Sequence, residues 1–410
     1  MTTAPATAPP AGTGTAPDWG VARLRDQRVM PGERWIFSAG FNVRPDLRDT
    51  ARIDTELDDI AYLADAGART AILTHQGSHG DGSARPLDFV AAYLRERLGA
   101  AVRYVPSSAD DEAVEAARAL GPGEVALFGN TRLHEGEERG DPGLARRFAR
   151  LGDRAAIGGF CRAHRAHPSN TGLLEHVPGY AAESLLSELR RLEPWAGARP
   201  DRYSVAVLGG TKVEKLSLGL AGLTRTYDLV IPGGAVLNAV LEARGVPVGR
   251  SVRAPDAASV ARAILSMPSR AEVHLPRLVI AARPDGDGWV DPEVFPVADG
   301  VPPTHAIVDF VLEGPIEERL DRLAEERGRA LLAGPPGLYA DGFRAATQRL
   351  LHALRAPGVD AILLGGDTLA ELPWRGATST GGGAALDFLC RGTTTVLDAL
   401  RASRVRREAA

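Results

Sequence analysis

The sequence predicts an α/β protein of two domains, each a parallel β-sheet flanked by helices in three layers. Three observations predict it. Short β-rich apolar runs recur along the chain, each ending in glycine or a polar loop. Stretches with helical periodicity lie between those runs, and strand alternating with helix implies parallel sheets covered on both faces. The length of 410 residues, 44% of them hydrophobic and 24% charged, suits two cores of ordinary size.

In the first half the predicted strands are RWIFSAGFN, RTAILTHQG, EVALFGNTR and RAAIGGFCR, with helices in LDDIAYLADAG and LDFVAAYLRERLG. The helical segment AAESLLSELRRLE leads into LEPWAGARPDR, where Pro and Gly break the periodicity and a hinge is expected at 191–202. The second half repeats the scheme with YSVAVLGGTK, YDLVIPGGA, RLVIAARPD, RALLAGPPG and DAILLGGDT, again with helical stretches such as IEERLDRLAEERG. The domains are therefore expected at 19–190 and 203–390. Residues 1–18, rich in Pro, Ala, Thr and Gly, read as a disordered extension, and 391–410 as a segment returning to the first domain.

With 48 basic and 52 acidic residues the formal charge is -4, which argues against a general nucleic-acid or membrane surface; any anion site must be local. Only two cysteines occur, Cys161 and Cys390, too few for a disulfide framework or a cysteine zinc site, so a cytoplasmic location is expected. No apolar run is long enough to span a membrane, and nothing demands more than a monomer.

In an open parallel sheet the ligand loops follow the carboxyl ends of the strands. Those of the first half carry Asn42, His75, Arg132, His164, Arg165 and His167, with Arg52 near a helix start. Such a cluster ordinarily faces solvent as a basic turn; converging, it would bind a multiply charged anion. The loops of the second half are rich in glycine: GGTK with Gly209, Gly210 and Lys212, PGGA with Gly233 and Gly234, AGPPG with Pro336, LGGD with Asp367 followed by Thr368, and STGGGAAL with Gly381, Gly382 and Gly383. Backbone amides and helix N-termini in such loops can cradle phosphates. The triple glycine leads into a helix whose Leu386 and Leu389 can face the core.

Ten motifs in order, FNVRPD, DTARI, ILTHQG, GNTRLHEGEE, HRAHPSNTG, VAVLGGTKV, LVIPGGA, LLAGPPGLY, LLGGDT and TSTGGGAALDFL, resemble the phosphoglycerate kinase family from about Trp35 to Leu400. The resemblance implies a hinge enzyme whose first domain holds a phosphorylated carboxylate acceptor and whose second holds Mg²⁺ with ATP or ADP. It implies that Arg132 and Arg165 bind the acceptor's phosphate, supported by Asn42, His75, His164 and His167. Arg52 and Lys212 would flank the migrating phosphoryl group, and the amides of Gly381, Gly382 and Gly383 would stabilise it. Asp367 would hold the metal, with Gly209, Gly210, Gly233, Gly234, Pro336 and Thr368 around the nucleotide. A carboxylate is already a nucleophile, so positioning and electrostatics carry such a transfer.

The chain departs from the family's pattern in both halves. Gly40 stands where the family has the aspartate of Asp-Phe-Asn, Ser78 where it has a phosphate-binding arginine, and Ile157 and Gly158 where it has Asn-Asp. Leu216 replaces a second lysine, with Lys215 adjacent, and Ala333 and Ala340 replace an asparagine and an acidic residue of the nucleotide half, with Asp341 adjacent. Arg44, Arg48 and His79 are candidate replacements on the acceptor side. Restoring Gly40→Asp with Ser78→Arg is expected to favour 3-phosphoglycerate. Three functions remain open: a carboxylate kinase acting on 3-phosphoglycerate or a related acid; an acyl-phosphate-forming enzyme coupled to amide or ester synthesis; and a non-catalytic module that binds nucleotide or metabolite.

Overall fold

A computed structural model describes residues 18–99, 101–210 and 215–409 of the chain. Both domains are built on six-stranded parallel sheets flanked by helices. The first contains β1 (Arg34–Ser38), β2 (Arg69–Leu73), β3 (Val102–Val105), β4 (Val125–Phe128), β5 (Arg154–Ile157) and β6 (Gly179–Ala181), in the spatial order β3-β4-β2-β1-β5-β6. Its first strand lies inside the sheet: β1 pairs with β2 on one side and with β5 on the other, Ser38 opposite Leu73 and Ile157. The chain leaves β1 toward β2 and later crosses to β5, so the connections diverge there and a crevice opens beyond the strand ends.

The second sheet is formed by β7 (Ser204–Leu208), β8 (Leu229–Pro232), β9 (Glu272–Val273), β13 (Arg329–Ala333), β14 (Asp360–Leu364) and β15 (Ala377–Ser379), in the order β15-β14-β13-β7-β8-β9. The connections diverge again, now between β7 and β13. The run RLVIAARPD breaks the expected alternation. As β10 (Leu278–Asp285) it pairs antiparallel with both β11 (Gly288–Pro296) and β12 (Ala306–Phe310) in a separate three-stranded sheet. The Asp285–Gly288 pairing closes a hairpin, which a parallel crossover cannot do.

Strands β1, β2, β4, β7, β8 and β13 are buried along nearly their whole length, as expected of strands covered on both faces. One apolar layer, holding Ile36, Leu73 and Leu186 of the first half and Leu208, Leu364 and Leu389 of the second, runs continuously through both. Separate layers close the outer faces, around Trp35, Phe37 and Leu94 in one and Val205, Phe310 and Leu332 in the other. The C-terminal helix Thr395–Ala409 packs on the first half: Ser403 Oγ accepts the amide of Gly179 at 2.9 Å, and Leu397 and Leu400 are buried. Between the halves, the helix Glu183–Leu192 runs into a 3₁₀ turn whose Trp195 is buried, its Nε1 donating to the Asp360 carbonyl at 2.9 Å. No helix among the described residues is long and apolar enough to cross a membrane.

Candidate active site

The carboxyl ends of both sheets open onto one cleft. Its walls are formed by Asn42, Arg52, His75, Arg132, His164 and Arg165 from the first half and by Asp367, Gly381, Gly382 and Gly383 from the second, around a volume of about 530 Å³. The two sides are in close apposition. A Cβ on Gly383 would lie 3.0 Å from His164 Nε2, one on Gly366 3.8 Å from an Arg52 guanidinium nitrogen, and one on Gly381 2.5 Å from the Phe160 ring. Glycine at 381 and 383 is therefore what lets the first turn of the helix Gly382–Arg391 approach the wall of the first half, with the positive end of its dipole at the cleft; the Gly381 amide, expected to act on a phosphoryl group, donates instead to Ser379 Oγ at 3.1 Å.

On the wall of the first half, Arg52 sits in the short helix Ala51–Asp54 and donates to the Asn42 carbonyl at 2.8 Å. Asn42 Oδ1 in turn accepts the Gly77 amide at 3.2 Å. Arg132 is 4% exposed, pairs with Glu138 at 2.6 Å, and keeps a buried Nε with no hydrogen-bond partner among the described residues. Ser78 donates to the other oxygen of Glu138 at 2.8 Å, so Glu138 holds the ground between the basic patch and the position where the family has an arginine. His79 reaches the same carboxylate only through its backbone amide at 3.0 Å, and both Arg44 and Arg48 are exposed to solvent.

The positive charge of this wall resides on its arginines. Burial, reinforced by Arg165, lowers the His164 pKa to about 4; burial together with Arg132, Arg162 and Arg165 lowers that of His167 to about 3. Burial and the same arginines also hold His75 well below the usual imidazole range. At neutral pH these rings are hydrogen-bonding groups rather than cations. His167 does not line the cleft: it is buried behind the wall, with Nδ1 3.9 Å from Glu137 Oε1. Arg162, one of the four basic residues of GGFCRAHRAH, is 3% exposed, donates to Ser38 Oγ, and donates to Ser169 Oγ at 2.7 Å. Of these four, Arg162, His164 and Arg165 line the cleft, and His167 stands behind it.

On the other side a cavity of about 280 Å³ lies between β7 and β13, lined by Gly210, Lys215, Gly234, Gly334, Asp341, Asp367, Thr368 and Leu386 among others. Gly209, Gly233 and Pro336 are not part of that lining. They lock its frame: a Cβ on Gly209 would come 2.1 Å from the Pro335 carbonyl, and one on Gly233 2.3 Å from Pro336 Cα. Lys215 Nζ donates to the carbonyls of Gly209 at 2.6 Å and Ala333 at 2.8 Å. Lys212 lies outside the described residues, as does nearly all of the expected N-terminal extension. Glu371 also lines the cavity, its Oε1 accepting the Ala340 amide at 3.0 Å, so a carboxylate stands beside the position where the family's is missing.

This cavity fits a magnesium–nucleotide. Gly210, Gly234 and Gly334 all have positive φ, and side chains at 234 and 334 would fill the cradle. No group of three or more His, Cys, Asp or Glu side chains able to hold a metal occurs among the described residues. A Mg²⁺ there would be shared between Asp367 and phosphate oxygens, its usual mode with nucleotides.

The sequence reading missed Glu56. Its carboxyl group is buried against Gly40, Gly158 and Gly159, where the departures from the family cluster. The restoration expected of Gly40→Asp does not fit this arrangement, because a Cβ on Gly40 would lie 2.8 Å from Gly159 Cα and 2.9 Å from Cys161 Sγ.

The sequence model of the family described as phosphoglycerate kinase matches residues 28–391. A phosphoglycerate kinase of Rhizorhabdus wittichii is 34% identical over 394 residues, covering 89% of this chain and 96% of that protein. One from Moorella thermoacetica is 34% identical over 378 residues, covering 88% and 94%. Among solved structures, phosphoglycerate kinase from Coxiella burnetii superposes with a TM-score of 0.70 at 27% identity, covering 94% of this chain and 100% of that one. The fold is also that of the Pyrococcus horikoshii phosphoglycerate kinase, with a TM-score of 0.72 at 23% identity and the same coverage.

Proposed function

The chain belongs to the phosphoglycerate kinase family, whose members are phosphotransferases with a carboxyl group as acceptor, and on that premise we propose that it moves a phosphoryl group between ATP and 3-phosphoglycerate or a related anionic acid. The observation that carries this reading is the apposition across the cleft, with Arg52 and His164 on one side meeting the loop of Asp367 and the glycines Gly381–Gly383 on the other.

The residues divide the work by charge. Arg132 and Arg165 bind the acid's anionic group, with Asn42, His75 and His164 orienting it by hydrogen bonds, and His167 holds the wall behind them. Arg52 acts on the migrating group, with Lys212 as its partner in that role, so that fixed positive charge and preorganised amides lower the barrier without reorganising solvent. When bound, Mg²⁺ neutralises charge on the nucleotide phosphates. Gly210, Gly234 and Thr368 shape the nucleotide cradle, framed by Gly209, Gly233 and Pro336. A monomer in the cytoplasm completes the proposal; the two cysteines stand free, as a reducing compartment would keep them.

The acid is the part most altered. Gly40 and Ser78 remove two polar contacts that the family places in the acceptor pocket, and truncating one partner of a desolvated charged contact typically costs about 2–5 kcal/mol. Even the lower figure lowers kcat/KM for 3-phosphoglycerate by more than about tenfold. The test combines calorimetric titration with Mg-ATP and a hydroxylamine trap for acyl phosphate over a panel of carboxylic acids. ATP-dependent hydroxamate from at least one phosphorylated or anionic acid is expected, with 3-phosphoglycerate a poor member of the panel. Tight nucleotide binding with no hydroxamate from any acid would replace the kinase by a binding module. Ordinary turnover with 3-phosphoglycerate at micromolar KM would leave the kinase and remove the altered acceptor.

A further inference from the structure

Directly behind the cleft floor, one carboxyl group fills a space left by two glycines. Glu56 follows Arg52 by four positions. It is 4% exposed, and its Oε1 accepts the Gly40 amide at 3.0 Å. A Cβ on Gly158 would stand 2.3 Å from its Oε2, and one on Gly40 3.3 Å from its Oε1. That Oε2 is buried, with the Gly159 amide near enough to pull on the carboxyl group but no well-formed hydrogen bond among the described residues. Arg52 meanwhile ties to the Asn42 carbonyl at 2.8 Å. The segment from Arg52 to Glu56 is thus fastened at two points to the loop after β1 and pressed at a third against the loop after β5. These are the two neighbouring strands between which the connections diverge and the acceptor crevice opens.

We propose that Glu56 is a positioning residue for phosphoryl transfer: its carboxyl group, wedged over Gly40 and Gly158, sets the spacing of the loops after β1 and β5 and so holds Arg52, Asn42 and Arg165 in register with one another. The proposal rests on the reading of the cleft as the acceptor site. The wedge depends on size complementarity, because residue 56 supplies the volume that residues 40 and 158 lack. Burial lifts the Glu56 pKa to about 8, against the pull of the Gly40 amide and Arg162, so the side chain is mostly neutral at pH 7 and glutamine is close to its isostere.

Two measurements test this, one independent of the acceptor. In the full-length protein, Gly158→Ala should lower the melting temperature when Glu56 is present, because the new methyl group meets Oε2 at 2.3 Å; its milder contact with the Phe37 ring, at 3.1 Å, is common to both backgrounds. In the Glu56→Ala background the same change should cost far less or restore stability, a reciprocity that unconnected sites do not show. In turnover with the best acid of the panel, Glu56→Ala should lower kcat at least about tenfold with nucleotide KM unchanged, while Glu56→Gln stays within about threefold of wild type. Equal cost of Gly158→Ala in both backgrounds would overturn the wedge. A glutamine variant as impaired as the alanine one would overturn the positioning role. If wild type phosphorylates no acid, the acceptor reading fails, the positioning role falls with it, and the melting cycle still decides whether Glu56 is the wedge.

Discussion

The acceptor side of the cleft holds neutral groups of both kinds, His164 with its pKa down at about 4 and Glu56 with its pKa up at about 8. Their effects on stability run in opposite senses. A histidine whose folded pKa is depressed favours the folded state above the unfolded value of 6.5 and loses that contribution as pH falls toward the folded value. Glu56, raised from 4.5, contributes fully below 4.5 and loses its contribution as pH rises toward 8. Measured against Glu56→Gln, wild type should therefore lose stability between pH 4.5 and 8, by up to about 1.4 kcal/mol per pH unit. Denaturant melts at several pH values check this; a flat difference would mean that the carboxyl group ionises normally. For the chemistry, Asp367→Ala should abolish turnover with the thermal melt unchanged, and undiminished activity would remove Asp367 from the mechanism. If the charge of Lys212 acts on the transferring group, as proposed, Lys212→Ala should lower kcat by about 10² or more with little change in nucleotide affinity; a change in KM alone would contradict that role.

The C-terminal helix Thr395–Ala409 shows how an element far from the chemistry supports the acceptor wall. It lies over β6 through Ser403 and Gly179, Arg406 donates to the Leu174 carbonyl at 2.9 Å, and the Val396 amide donates to Ala163, next to His164, at 2.9 Å. Leu400 is fully buried there, so Leu400→Ala should destabilise the protein by about 2–5 kcal/mol. Nucleotide affinity should be unchanged and acceptor KM raised; titration calorimetry on each ligand separates the two. The inner parallel strands were legible because strands covered on both faces read as apolar runs stopped by glycine or a polar loop, as in SVAVLGG and DAILLGG. The antiparallel sheet was not. RLVIAARPD carries the same signal, while its partner GWVDPEVFP is largely exposed, contains two prolines and shows no apolar run. β9 and β15, of two and three residues, are too short to show any period. That Arg132, Arg165 and the triple glycine would line one cleft was readable because their neighbours in sequence form the motif. The place of Glu56 was not, because it appears only when Gly40 and Gly158, in loops that follow two strands far apart in the chain, are brought side by side.

At the scale of the whole molecule the charge of the cleft is uneven. Arg52, Arg132 and Arg165 line one wall, and the opposite wall presents the Asp367 carboxylate beside the positive end of the helix Gly382–Arg391. The arginines leave the cleft with a positive excess, which an acid and nucleotide phosphates bound between the walls would neutralise. The apolar layer shared by both halves, with Trp195 bonded to Asp360 and Ser379 to Glu188 at 3.1 Å, is the packed base about which a closure of the two walls would bend. Closure should therefore depend on ligands from both sides. Small-angle scattering should show a smaller radius of gyration with nucleotide and acid together than with either alone, and raised salt should weaken the effect of each ligand by screening the arginines. A scattering profile unchanged by both ligands would mean that the apposition of His164 with Gly383 is the resting state, and that the shared apolar layer, rather than the bound anions, holds the walls together.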